Sequence, residues 1–95
     1  MESIVRWHCV AIGRVQGGNY RARVQESAVR HGVAGSVVNR PDGSVRIVAQ
    51  GPARTLEAFL EDVRGPRGAS HPSSVERVEV VPVSPGLRGF QILRG

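Results

Sequence analysis

The chain has 95 residues, enough for one domain (1–95) whose core buries about 60 to 70% of the unfolded chain's surface, and too few for a second. Its 13 cationic side chains, all arginine, against 8 acidic ones give a net charge of +5, which favours anionic ligands, either small phosphates or nucleic acid. One cysteine, Cys9, excludes an internal disulfide and fits a reducing compartment; with no basic start leading into a long apolar run and no stretch near the roughly 18 to 20 apolar residues of a membrane span, a cytoplasmic protein without a signal peptide is expected.

Residues 4–12 carry Val5, Trp7, Cys9 and Ala11 on one parity and His8, Val10 and Ile12 on the other. This predicts a largely buried strand. A glycine-bearing loop follows, Gly13-Arg14-Val15-Gln16-Gly17-Gly18-Asn19-Tyr20-Arg21. Its glycines let several N–H groups turn toward one point, and Arg21 falls in the first turn of the next element, where a helix dipole favours negative charge. That element reads as a helix because Tyr20, Val24 and Ala28 recur at four-residue spacing with Val29 beside them, and Gly32 is placed to end it. Five arginines (Arg14, Arg21, Arg23, Arg30, Arg40) and one acid, Glu26, lie between residues 13 and 40, so the positive potential centres on the loop.

Residues 36–39 form a second short strand, Arg40-Pro41-Asp42-Gly43 a turn, and residues 44–49 a third strand, together a hairpin. Gly51-Pro52 is expected to break that strand and open a helix with proline in its first turn. Leu56, Phe59, Leu60 and Val63 occupy i, i+3, i+4 and i+7, the clearest amphipathic signal in the chain. Gly65-Pro66 ends it. Residues 67–74, rich in Gly, Ser and Pro, are expected to be a mobile loop. Residues 75–83 read as a strand, Ser84-Pro85-Gly86 as a turn, and residues 90–93 as a last short strand. The fold class is α+β: two helices on one face of a mainly antiparallel sheet.

The loop Gly13-Arg14-Val15-Gln16-Gly17 closing on Tyr20-Arg21, followed by Gly35-Ser36-Val37-Val38-Asn39-Arg40-Pro41-Asp42-Gly43-Ser44-Val45, resembles the acylphosphatases. Gly51, Phe59-Leu60, Gly65-Pro66 and Phe90-x-Ile92 extend the likeness over nearly the whole chain. The resemblance implies a ferredoxin-like βαββαβ sandwich and hydrolysis of small acyl phosphates to a carboxylate and inorganic phosphate. It also implies that Arg21 binds the phosphoryl group, that Asn39 positions the attacking water, and that Val15, Gln16, Gly17, Gly18, Asn19 and Tyr20 form the substrate-binding loop. The substrate's own phosphate takes the water's proton in that picture, so no side-chain base, metal or cofactor is expected.

These residue types suit the chemistry. A guanidinium is a charged, planar fork that can grip two phosphoryl oxygens. Phosphoryl transfer needs nucleophile, phosphorus and leaving group in line, with donors on the equatorial oxygens. A carboxamide can accept from water and donate to substrate, which orients the water without deprotonating it. Two positions depart from the family pattern: Ser36 stands where tryptophan is common, and Gly18 where valine is usual, which makes the cradle more flexible.

Plainer readings stand beside these. Arg21 could be a solvated helix residue and Asn39 a turn former. Cys9 and His8, adjacent in a strand, point to opposite faces, so a buried inert thiol is expected, and His31 and His71 lack metal-ligand spacing. Glu57, Glu61 and Asp62 are expected on the exposed side of their helix. The competing functions are a phosphate-binding domain of this type with weak or no catalysis, raised by Gly18, and a basic ferredoxin-like nucleic-acid-binding module. Only 4% aromatic residues and no stacking positions on the strands argue against nucleic acid. A monomer is expected, with a small acyl phosphate as substrate and a phosphate or sulfate anion as the ion its loop would hold.

Overall fold

The computed structural model describes residues 2–94; residues 1 and 95 lie outside the description. Five strands and two helices follow one another as β1 (Ile4–Arg14), α1 (Tyr20–His31), β2 (Ala34–Asn39), β3 (Val45–Pro52), α2 (Ala53–Arg64), β4 (His71–Val81) and β5 (Phe90–Leu93). The strands form one sheet in the order β4-β1-β3-β2-β5. All neighbours are antiparallel except β2 and β5, which run parallel with Gly35 opposite Phe90 and Val38 opposite Leu93. Two helices on a mainly antiparallel sheet, the ferredoxin-like arrangement, are as the sequence predicts.

The core lies between the sheet and the helices. Trp7, Cys9 and Ala11 of β1 and Val45, Ile47 and Ala49 of β3 are buried, and they meet Leu56, Phe59, Leu60 and Val63, the four buried residues of α2. The predicted apolar stripe of α2 is therefore its buried face. On α1 the buried positions are Tyr20, Val24, Ser27 and Ala28; Val29, read as lying beside the stripe, is instead 68% exposed, because one further residue turns it about 100° away from Ala28.

Six strand boundaries differ from expectation, two of them slightly, since β3 starts at Val45 instead of residue 44 and β4 ends at Val81 instead of residue 83. β1 runs on to Arg14 because β4 pairs with its far end, Gly13 opposite Pro72 and Arg14 opposite His71. β4 accordingly begins at His71, so the expected mobile stretch is only a tight turn in which Arg67 and Ser70 exchange backbone hydrogen bonds of 3.0 and 3.1 Å. β2 begins earlier, at Ala34, and β3 continues through Gly51 to Pro52, which faces Ile4. Proline lacks an N–H and is tolerated at such a strand end. Pro52 is thus the N-cap of α2, not part of its first turn.

The first turn of α1 is braced by the last turn of α2. The carbonyls that end a helix have no intrahelical partners, and Gly65, which follows α2, is extended and does not cap them. Arg23 Nη2 donates to Asp62 O at 2.8 Å, and the Tyr20 hydroxyl donates to Val63 O at 3.0 Å. A cation at a helix C-terminus is also favoured by the dipole. Asp62, expected on the exposed side, accepts hydrogen bonds from Ser27 Oγ and from Arg30 Nη2 across the helix pair. The Ser27 hydrogen bond, followed by the Arg30 charge, holds its carboxyl below the ordinary value.

Candidate active site

The loop between β1 and α1 is built from one buried anchor and alternating backbone hands. Val15, 1% exposed, plugs the loop into the core, and its N–H is already spent on Gly13 O at 3.0 Å. Val15 therefore holds the cradle as an apolar anchor rather than through its amide. Gly17 has φ 82° and Asn19, the N-cap of α1, has φ 61°, while Gly18 between them does not enter the positive region. Alternation of this kind turns successive N–H groups toward a common concavity. Asn19 is the one non-glycine at positive φ among the described residues, a conformation asparagine tolerates better than most side chains.

The N–H groups of Gly17, Gly18, Asn19, Tyr20 and Arg21 find no protein acceptor among the described residues; the first bond of α1 is Arg23 N–H to Asn19 O at 3.1 Å. No acidic residue occupies the first turn, and Arg21 adds a positive charge there. The end of the helix is electropositive and uncompensated by its own side chains, which is the condition for holding an external anion.

A pocket of about 230 Å³ opens at this point, lined by Val15, Gly17, Asn19, Tyr20, Arg21, Ala22, Asn39 and Ile92. Its size falls below the ~300 to 1,000 Å³ of sites for drug-sized ligands and suits a small one. Arg21 enters from α1, where its Nη1 donates to Leu93 O of β5 at 3.3 Å. Asn39 enters as the last residue of β2, opposite Val45 of β3. Its Oδ1 is buried and accepts no hydrogen bond among the described residues.

Arg21 and Asn39, paired in the sequence reading, thus share one pocket with Val15, Gly17, Asn19 and Tyr20. Gln16 and Gly18 do not line it. The Gln16 side chain reaches the β2–β3 turn, donating to Arg40 O at 2.9 Å and to Ser44 O at 2.8 Å, and Gly18 borders the neighbouring cleft with Ala69 and Ser70. Ala22 and Ile92 line the pocket without having been singled out as site residues. Ile92 reaches it because β5 adds to the sheet beside β2, with Val37 facing Ile92, and a short strand's edge partner leaves no local trace in its sequence.

Tyr20 is buried, which raises its phenol well above the ordinary value. Asp42 stabilises the turn after Asn39: its Oδ1 accepts from Ser44 N–H at 2.9 Å and Ser44 Oγ–H at 2.6 Å. Those bonds, first the side-chain one, lower its pKa. Cys9 is fully buried and its thiol is pushed up to about 12, chiefly by burial. His8 Nδ1 faces Glu79 at 3.3 Å, away from Cys9.

The family model for acylphosphatase matches residues 7–92. The chain belongs to the acylphosphatase family. It is 45% identical over 85 residues to the acylphosphatase of Thermus thermophilus, covering 84% of this chain and 89% of that one. The acylphosphatase of Gloeobacter violaceus is 41% identical over 96 residues, covering 99% of both. Among solved structures, the acylphosphatase from Bacillus subtilis superimposes with a TM-score of 0.83 at 33% identity, covering 94% of this chain and 98% of that one. The chain is therefore an acylphosphatase by family, an enzyme that hydrolyses small acyl phosphates. No helix in the described residues is long and apolar enough to cross a membrane.

Proposed function

We propose that this acylphosphatase binds the phosphoryl group of its substrate between the Arg21 guanidinium and the free N–H groups of Gly17, Asn19, Tyr20 and Arg21, with Asn39 directing a water at phosphorus. The observation that carries the proposal is that Arg21 and Asn39, from different elements, line one small pocket with the loop. The guanidinium and amides supply donors for the equatorial oxygens and cost little reorganisation, since the loop is anchored at Val15 and these N–H groups have no competing acceptor among the described residues.

Asn39 contributes a carboxamide whose oxygen has no partner among the described residues. A half-turn about the last side-chain bond exchanges Oδ1 with Nδ2 and brings the acceptor to the pocket side, where it can take a hydrogen bond from water. The water oxygen bonds to phosphorus as the bond from phosphorus to the acyl oxygen breaks, and the carboxylate leaves as a stable anion. One water proton passes to the phosphoryl oxygens. The lining residues offer no carboxylate or imidazole, which is consistent with the substrate acting as its own base.

Hydrolysis of benzoyl phosphate by wild type, Arg21→Gln and Asn39→Ala tests this. The arginine change is expected to weaken competitive inhibition by inorganic phosphate and to lower turnover by about 10² to 10³, as for loss of an oxyanion donor. The asparagine change is expected to lower kcat while leaving phosphate inhibition nearly unchanged. Full activity in both variants would refute the assignment.

A further inference from the structure

The pocket's two halves are carried by separate pieces of chain, the β1–α1 loop and the β2–β3 hairpin. Gln16 joins them. Its Nε2 carries two hydrogens, one for Arg40 O at 2.9 Å and one for Ser44 O at 2.8 Å. These two carbonyls flank the mouth of the turn, which Arg40 N–H closes by donating to Ser44 O at 2.9 Å. Arg40 is the residue after Asn39. On the other side, Gln16 sits between Val15, locked in the core, and Gly17, the first positive-φ residue of the cradle.

Within the described residues this is the one side-chain bridge from the loop to the turn. With both amide hydrogens engaged, the side chain has none left for a phosphoryl oxygen. A role in gripping substrate directly is therefore disfavoured, and a role in spacing is left. We infer that Gln16 is a positioning residue: it sets the distance and angle between the phosphate loop and Asn39, and so the line of attack of the water on phosphorus. The inference rests on the reading of Asn39 given above. In-line displacement is sensitive to such spacing, because a nucleophile misplaced by about 1 Å can lose on the order of 10² in rate.

Gln16→Met keeps the length and removes both donors. Its kcat on benzoyl phosphate is expected to fall about tenfold, a fraction of the full misplacement penalty because the strands still hold the hairpin. The inhibition constant for inorganic phosphate is expected to move by less than about twofold, since Arg21 and the backbone N–H donors of the loop are retained. In an Asn39→Ala background the same change is expected to cost less than about twofold in kcat, because residues acting through one another are not additive. An NMR readout independent of turnover accompanies these: the side-chain amide resonances of Asn39 shift in Gln16→Met.

Three results overturn the inference: an unchanged kcat with unchanged Asn39 resonances, a phosphate inhibition constant that rises as far as kcat falls, or an equal loss in both backgrounds. The second would make Gln16 a binding group and the third a general stabiliser. Failure of the underlying reading looks different, since Asn39→Ala alone would then keep full kcat.

Discussion

Gly18 stands close against Ala69, so that a side chain there would need the Ala69 backbone to give by a few tenths of an ångström. A Cβ at Gly18 would lie 3.1 Å from the Ala69 carbonyl carbon and 3.2 Å from its Cβ and its oxygen. The space a side chain would fill is taken by the turn between α2 and β4. That turn is held by the paired hydrogen bonds of Arg67 and Ser70 and by Arg23 Nη1 donating to Ser70 Oγ at 3.2 Å. Backbone atoms on a braced turn do not yield cheaply. Gly18→Val is therefore expected to destabilise by about 1 to 3 kcal/mol through overpacking, and to lower kcat/KM as the cradle or the turn shifts. A gain in both melting temperature and activity would show that Gly18 is a weakness of the cradle and not a close contact.

Tyr20 precedes Arg21, and its hydroxyl is buried on Val63 O. Removing the hydroxyl leaves the end of α2 with a buried carbonyl lacking that donor, at a cost of about 1 to 3 kcal/mol. Tyr20→Phe keeps the ring that packs beside Arg23, whose guanidinium carbon is 5.7 Å from the ring centroid. The variant should unfold at lower denaturant concentration while the phosphate inhibition constant stays within about twofold of wild type. A large loss of phosphate affinity with unchanged stability would place the hydroxyl in substrate binding instead.

Cys9 is expected to be inert. Its thiol, raised from 9.0 to about 12, stays protonated near neutral pH, and the thiolate is the reactive species. Iodoacetamide at pH 8 should leave the native protein unmodified and label it fully in denaturant. Because the folded value is raised, the neutral thiol's contribution to stability is complete below the unfolded value and is lost as pH rises from about 9 toward 12. Cys9→Ala should flatten that alkaline decline, and rapid labelling of the native protein would contradict the burial.

The parts of the fold that were legible in sequence are those set by local spacing. The i, i+3, i+4, i+7 stripe of α2 and the Pro-Asp-Gly turn needed no distant partner. The extension of β1 to Arg14 and the early start of β4 depend on each other across about 60 residues of chain, and neither segment is apolar enough to announce a strand. At the site, the glycine loop, Arg21 and Asn39 were readable as types at a spacing. The bridge from Gln16 to residues 40 and 44 was not, because a glutamine's two donors reveal nothing about which carbonyls they meet. Gly18 read as a loss of rigidity for a similar reason: the residue that fills its space lies 51 positions later.

Asp42 ties the hairpin that carries Asn39 to the acid stability of the site. Its carboxylate accepts both the N–H and the hydroxyl of Ser44, and its pKa is lowered accordingly. The unfolded chain then binds this proton more readily than the native one. The contribution is present in full above the unfolded value near 3.9 and is lost as pH falls through the lower folded value. Asp42 is exposed, so screening keeps the effect small. Asp42→Asn retains an oxygen for Ser44 but no charge. Its melting temperature should lie below that of wild type at pH 7, and the gap should close as pH is lowered below about 4, where wild type loses its charge as well. Asp62, lowered by Ser27 and Arg30, titrates in both proteins and cancels from the comparison. A gap that stays constant between pH 7 and pH 2 would show that the Ser44 bonds do not depend on the charge.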